Sequence, residues 1–167
     1  MKTIVVGGGA AGMMAAIAAA QKNNAVILLE KNEKLGKKVF ITGKGRCNVT
    51  NACDRDAFFE HIISNPKFLY SAYSALDSKA LMDFIETNKT PLKIERGNRV
   101  FPVSDHSYDV IDAFRRALKN AGVEVRLHTE VAEILVENNL SGDEDEQVSE
   151  KNVVITSKID AITDFEK

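Results

Sequence analysis

Gly7, Gly9 and Gly12 stand in G-x-G-x-x-G spacing. Each glycine of that pattern has a separate physical task around a dinucleotide. The first permits a tight turn, the second lets the backbone approach a pyrophosphate, and the third lets the following helix pack closely on the strand. A helix starting here turns unpaired N–H groups and a partial positive charge toward the phosphates. Glu30 lies 18 positions after Gly12, at the end of the next apolar run, where a carboxylate accepts bonds from ribose hydroxyls. The same charge repels a 2′-phosphate, so an adenosine ribose without one is favoured. The bland alternative is a glycine-rich turn that binds nothing.

The elements around these residues weigh against the bland alternative. Thr3 to Val6 is a short β-branched run and predicts a buried strand. Met13 to Lys22 is rich in Ala and Met, holds no breaker and predicts a helix, which Asn23-Asn24 ends. Ala25 to Leu29 predicts a second apolar strand. A strand–turn–helix–strand unit with so short a crossover makes the two strands parallel and adjacent. The Gly43-Lys44 pair does not make a P-loop: Lys38 stands where the first glycine is needed, and Gly45 follows instead of Ser or Thr.

Residues 31–54 form a basic segment with Lys31, Lys34, Lys37, Lys38, Lys44 and Arg46, punctuated by Gly36, Gly43 and Gly45. This predicts a long functional loop. Gly43 and Gly45 permit close approach of backbone N–H groups to a planar or anionic ligand. Arg46 and the lysines offer positive charge, which near a flavin pyrimidine would stabilise the reduced form. From spacing alone, a solvated basic loop is an equal alternative.

Farther along, Ala57 to Ile63, Phe68 to Leu76 and Lys79 to Asn88 predict helices, with Pro66 near a helix start. Arg96-Gly97-Asn98-Arg99 reads as a turn between short strands. Ser104 or Asp105 is expected to cap a helix that buries Val110, Ile111, Phe114 and Leu118, runs to about Asn120 and stops at Gly122. Strands are expected at Val123 to Leu127, Val131 to Val136 and Val153 to Thr156, with the polar, acidic residues 138–152 as a solvated hairpin tip.

Composition excludes several classes. With 22 Lys+Arg against 24 Asp+Glu, the net charge of -2 argues against nucleic-acid binding through phosphate contacts. Aromatics at 7% with no Trp leave little material for stacking on single strands. No signal peptide opens the sequence, and the longest apolar stretch, Ala10 to Ala20, is 11 residues, too short for a bilayer. A soluble cytoplasmic protein acting on a small molecule is expected, with no nucleic-acid or membrane partner.

The run LGKKVFITGKGRCNVTN, with the glycine fingerprint and the later GNRVFPVSDHSYDVIDAF, resembles the BaiN/RdsA-type NAD(P)/FAD-dependent oxidoreductases, which include aminoacetone oxidase-like flavoproteins. The resemblance covers nearly all of residues 2–137. It implies an α/β, Rossmann-like FAD-binding domain of the glutathione reductase type, with a parallel sheet and a β-hairpin or meander. It implies FAD as cofactor and NAD(P)H as electron donor in the complete enzyme. Gly7, Gly9, Ala11 and Gly12 would hold the pyrophosphate and Glu30 the adenosine ribose. Lys31 and Lys38 would lie along the ribose and phosphates. Gly43, Gly45, Arg46, Cys47 and Asn48 would lie near the flavin. Val131 matches the position that touches adenine through the backbone. Lys44 departs from the pattern, standing where many relatives carry glycine.

Cys47 sits among basic residues, a setting that lowers a thiol pKa, but the favoured reading is a small side chain packed beside the isoalloxazine. Cys47 and Cys53 are too far apart for a C-x-x-C dithiol centre, and with His61 they lack zinc-ligand spacing. His61, His106 and His128 are scattered and read as surface residues. No catalytic acid or base is assigned. Arg99, Phe101 and Pro102 belong either to the substrate side or to a rigid turn. Residues 1–137 are expected to form the N-terminal part of the nucleotide domain, and 138–167 an acidic hairpin and the start of a truncated remainder. The family resemblance implies relatives about twice as long or more. The expectations are therefore a shortened chain, a subunit completed by a second chain, or a decayed version, with an open apolar face that favours self-association.

Overall fold

The computed structural model describes residues 2–22, 24–141 and 148–157. The first strand β1 (Lys2–Val6), helix α1 (Ala10–Ala20) and strand β2 (Ala25–Leu29) form the expected unit, but β1 is not the buried strand expected: Thr3, Ile4 and Val5 are half-buried and Val6 is exposed. β1 and β2 are parallel, with Ile4 opposite Ile27 and Val6 opposite Leu29. The alanines and methionines of α1 lose little rotamer freedom in a helix, and Met13, Ala16 and Ile17 are buried on one side of it.

Contrary to expectation, the basic segment is not one long loop. It holds a short helix α2 (Lys37–Ile41), a 3-10 turn at Thr42–Gly45 and a two-residue strand β3 (Thr50–Asn51). What fixes α2 is distant in sequence. Ser107 Oγ donates to the Phe40 carbonyl at 2.8 Å, and Gly36 N–H donates to the Gly8 carbonyl at 2.8 Å. Local propensity could not report either contact.

Helix α3 (Arg55–Glu60) begins on Asp54, a second 3-10 turn at Pro66–Leu69 leads into α4 (Tyr70–Ala75), and α5 (Ser78–Thr87) begins on Asp77. Both aspartates cap in the usual way, accepting from Ala57 N–H at 2.9 Å and Ala80 N–H at 2.7 Å. Strands β4 (Leu92–Glu95) and β5 (Arg99–Pro102) follow, joined by the predicted turn, in which Gly97 and Asn98 are left-handed. β5 pairs antiparallel with β4 on one side and β3 on the other.

Helix α6 (Ser107–Asn120) buries the predicted apolar stripe, but its N-cap is His106. The expected caps are used elsewhere. Asp105 is left-handed and its carboxylate is taken by Arg46 and Lys93, while Ser104 Oγ accepts from His106 N–H at 3.2 Å. Strand β6 (Glu124–Arg126) then pairs parallel with β2, giving the order β1-β2-β6. Side chains from α1, β2 and α6 make one core that includes Met13, Leu28, Phe114 and Leu118. The result is an α/β, Rossmann-like domain.

The antiparallel pair β7 (Val131–Ser141) and β8 (Val148–Ser157) extends well into the expected hairpin tip. Asn138 pairs with Lys151 and Asn139 with Glu150 in the ladder. Ladder bonds join backbone groups, so a polar sequence does not end them. Residues 142–147 and 158–167, with the acidic run, lie outside the described residues. Among the described residues, no helix is long and apolar enough to cross a membrane, and no group of three His, Cys, Asp or Glu is placed to hold a metal ion.

Candidate functional site

The glycine turn between β1 and α1 is shaped by contacts that forbid side chains. Gly7 is left-handed, with φ +100, and donates to the Leu29 carbonyl at 2.7 Å. A Cβ on Gly12 would lie 1.8 Å from the Gly7 carbonyl oxygen, so the helix can approach the turn this closely only without one. A Cβ on Gly8 would lie 2.3 Å from Leu35 Cδ2. At Gly9 the same atom would meet nothing within 4 Å, which leaves open space where a ligand can approach the backbone. Helix α1 therefore starts on Gly9 with no side-chain cap and no acidic residue in its first turn, and its first-turn N–H groups point into that space.

Glu30 closes the opposite wall. It is only 8% exposed. Its Oε2 accepts from Gly8 N–H at 2.6 Å, and its Oε1 accepts from Asn32 N–H at 2.8 Å and from the Asn32 carboxamide. Burial is the largest single influence on this carboxyl and opposes its charge. The bonds from Asn32 and Gly8, with Lys31 nearby, outweigh burial and hold the group below the usual carboxylate range. Glu30 is thus a buried, ionised acceptor. An ionised carboxylate has about four acceptor positions, so three bonds leave one for a hydroxyl.

A cleft of about 360 Å³ opens between these walls. It brings together Gly7, Gly9, Glu30, Lys31, Lys38 and Val131. Lys37 of the basic segment also lines it, as do Gly8, Asn32, Thr129 and Glu130, which were not singled out from sequence. Of these, Gly8 was in view as a free position of the motif, and its contact with Leu35 carries no local signal. Val131 is brought there by backbone bonds: Thr129 N–H donates to the Glu30 carbonyl at 2.9 Å and His128 N–H to the Asn32 carbonyl at 3.1 Å. Ala11 and Gly12 sit in the first turn of α1 behind this surface. Donors on one wall, a carboxylate on the other and lysines at the rim suit an adenosine diphosphate moiety.

The second predicted group lies elsewhere. Gly43, Lys44 and Gly45 form a left-handed stretch with φ 55, 57 and 87, and Cys47 is also left-handed at φ 60. None of Gly43, Gly45, Arg46, Cys47 and Asn48 lines the cleft. Arg46 does not offer a free charge, contrary to expectation. Its guanidinium binds Glu95 through Nη1 and Nη2, and binds Asp105 Oδ1 through Nε at 2.9 Å and Nη2 at 2.6 Å. It also stacks over the Phe101 ring, 4.2 Å from the centroid. The hydrogen bonds that Arg46 donates to Glu95 and Asp105 raise its pKa further, and Arg46 holds Glu95 below its usual range. Lys93, then Arg46, lower Asp105 likewise.

Burial pushes the Cys47 thiol up, partly offset by a bond with Thr42, so its basic neighbours in sequence do not activate it. Its side chain belongs to the core. The Asn48 carboxamide, oriented with its nitrogen inward, donates to the Thr50 carbonyl at 3.0 Å and the Val100 carbonyl at 3.2 Å. Phe101 and Pro102 are buried, as the rigid-turn reading requires.

The sequence as a whole agrees with this geometry. The family model of the HI0933-like protein Rossmann domain matches residues 1–162. The chain belongs to that family. Members of this BaiN/RdsA-type family are what the glycine and basic motifs resembled. The domain is 32% identical over 99 residues to the 3-dehydro-bile acid delta(4,6)-reductase of Clostridium scindens, covering 59% of this chain and 23% of that enzyme. Its fold is similar to that of 3-ketosteroid-delta4-(5alpha)-dehydrogenase from Rhodococcus jostii, with a TM-score of 0.57 at 13% identity over 91% of this chain and 43% of that one. A flavocytochrome c3 fumarate reductase gives 0.53 at 22% identity over 84% of this chain and 29% of that one. The chain therefore spans less than half the length of each of these relatives.

Proposed function

We propose that this domain binds FAD through its ADP half and contributes that cofactor site to an NAD(P)H-dependent flavoprotein oxidoreductase. The observation that carries the reading is the cleft in which the Gly7–Gly9 turn faces the buried, ionised Glu30. The turn's N–H groups and the start of α1 bind the diphosphate, and Lys31 and Lys38 add charge at the rim. Glu30 accepts from the ribose and, by like-charge repulsion, disfavours a 2′-phosphate. Val131 offers backbone groups to the adenine. The bound cofactor would supply the two-electron redox chemistry between a nicotinamide donor and an organic acceptor.

The family supports a flavin, as does the flavocytochrome among the structural relatives. Electron transfer is proposed for a protein of its relatives' length, of which this chain spans less than half. A second reading, nucleotide binding without turnover in a subunit completed by another chain, draws on the same coverage. Purified protein mixed with FAD, then treated with NADH or NADPH without oxygen, separates the two. Flavin bound and bleached supports the oxidoreductase. Flavin or ADP that raises the melting temperature without bleaching supports the binding module. Protein indifferent to both FAD and ADP refutes the cleft assignment.

A further inference from the structure

We infer that Arg46 is a positioning residue: it clamps the left-handed turn 43–47 onto the β4–β5 hairpin and so sets the backbone that the family resemblance expects beside the flavin. The second half of this inference rests on the flavin reading above. Three observations carry it. First, Lys44 and Cys47 hold left-handed backbone without being glycine, a conformation that L side chains adopt at a cost and that persists only where surroundings over-determine it. Second, Arg46, between them, is held by two carboxylates from separate places, Glu95 at the end of β4 and Asp105 before α6, with Phe101 of β5 beneath its plane. Third, Lys93 completes the cluster, 2.8 Å from Asp105 and 3.6 Å from Glu95. Two cations face two carboxylates, so the cluster has no net charge to lend a ligand. Its effect is geometric. A guanidinium grips two carboxylates at fixed angles, which an ammonium does not.

The fold-side consequence is readable at Cys47 N–H, which donates to the Thr42 carbonyl at 3.1 Å across the turn. Hydrogen exchange at that amide reports the clamp without any ligand. FAD and ADP affinities of the same protein then report positioning, because ADP reaches only the cleft lined by residues 7–9, 30–32, 37–38 and 129–131. In Arg46→Lys, exchange at Cys47 is expected to rise about tenfold, with a similar loss of FAD affinity and unchanged ADP affinity. Glu95→Gln, which leaves the Asp105 arm intact, should give the same pattern more weakly. A parallel loss of FAD and ADP affinity means general weakening of the fold and overturns the inference, as does unchanged exchange in both variants. If the unaltered protein binds ADP but not FAD, the flavin reading fails and the flavin-facing half falls with it, whereas the exchange at Cys47 still judges the clamp.

Discussion

Alanine at Gly12 and alanine at Gly9 should fail in opposite ways, and the contrast tests how the nucleotide cleft is built. At Gly12 the added methyl would lie 1.8 Å from the Gly7 oxygen, where ordinary contact begins at 3.4 Å, so backbone must retreat by about 1.6 Å. Overpacking against backbone costs about 3 kcal/mol, the upper part of the usual range. Alanine returns about 1 kcal/mol of helix propensity. Gly12→Ala should therefore lose about 2 kcal/mol of stability in urea titrations, and lose ADP affinity as the turn shifts. At Gly9 the backbone has φ -78 and ψ -178, open to any residue, and the methyl meets nothing within 4 Å. The poorer N-cap and the stiffer unfolded chain nearly cancel, leaving stability within about 0.5 kcal/mol. The methyl does occupy the approach to the turn. Loss of one charged hydrogen bond, about 1.5–3 kcal/mol, raises the ADP dissociation constant by roughly ten- to a hundredfold in calorimetry. Unimpaired ADP binding by Gly9→Ala would show that no phosphate sits against this turn. Unaltered stability and binding in Gly12→Ala would show that the helix does not set its shape.

Two further outcomes follow from buried groups. Glu30→Gln turns an amide NH2 toward a backbone donor and should cost about 1–3 kcal/mol near neutral pH. Because Glu30 titrates below its ordinary value of 4.5 when folded, its stabilisation is complete above that pH and is lost as the pH falls through the lower folded value. The stability gap between wild type and variant should be flat above pH 4.5 and shrink as the pH falls from there through the lower folded value, read in urea midpoints; a gap that widens on acidification refutes the assignment. Cys47 is buried with its thiol pKa raised, and Cys53 is half-buried. Iodoacetamide at neutral pH should label Cys53 well before Cys47, and unfolding should erase the difference; equal native rates would contradict the packing.

The first 30 residues were legible because their information is local. Glycine spacing, β-branched runs and a terminal carboxylate each act within one strand–helix–strand unit. The fate of Arg46 was not legible. Its partners Glu95 and Asp105 lie 49 and 59 residues away, and a basic loop with a paired arginine reads the same as one with a free arginine. Asp105 misled for the same reason, since its capping chemistry was engaged by that arginine and by Lys93. The short helix α2 was hidden because distant Ser107 and Gly8 fix its ends. At Cys47 the charged neighbours along the sequence count for little, because burial decides its ionisation.

The bond from Gly36 N–H to the Gly8 carbonyl joins the glycine turn to the segment that carries Lys37 and Lys38. Both sides of the receptacle are thus fastened together before any guest arrives. Little ordering entropy remains to oppose entry. Nucleotides that differ in their sugar or base should enter at similar speeds and be told apart by how long each one stays.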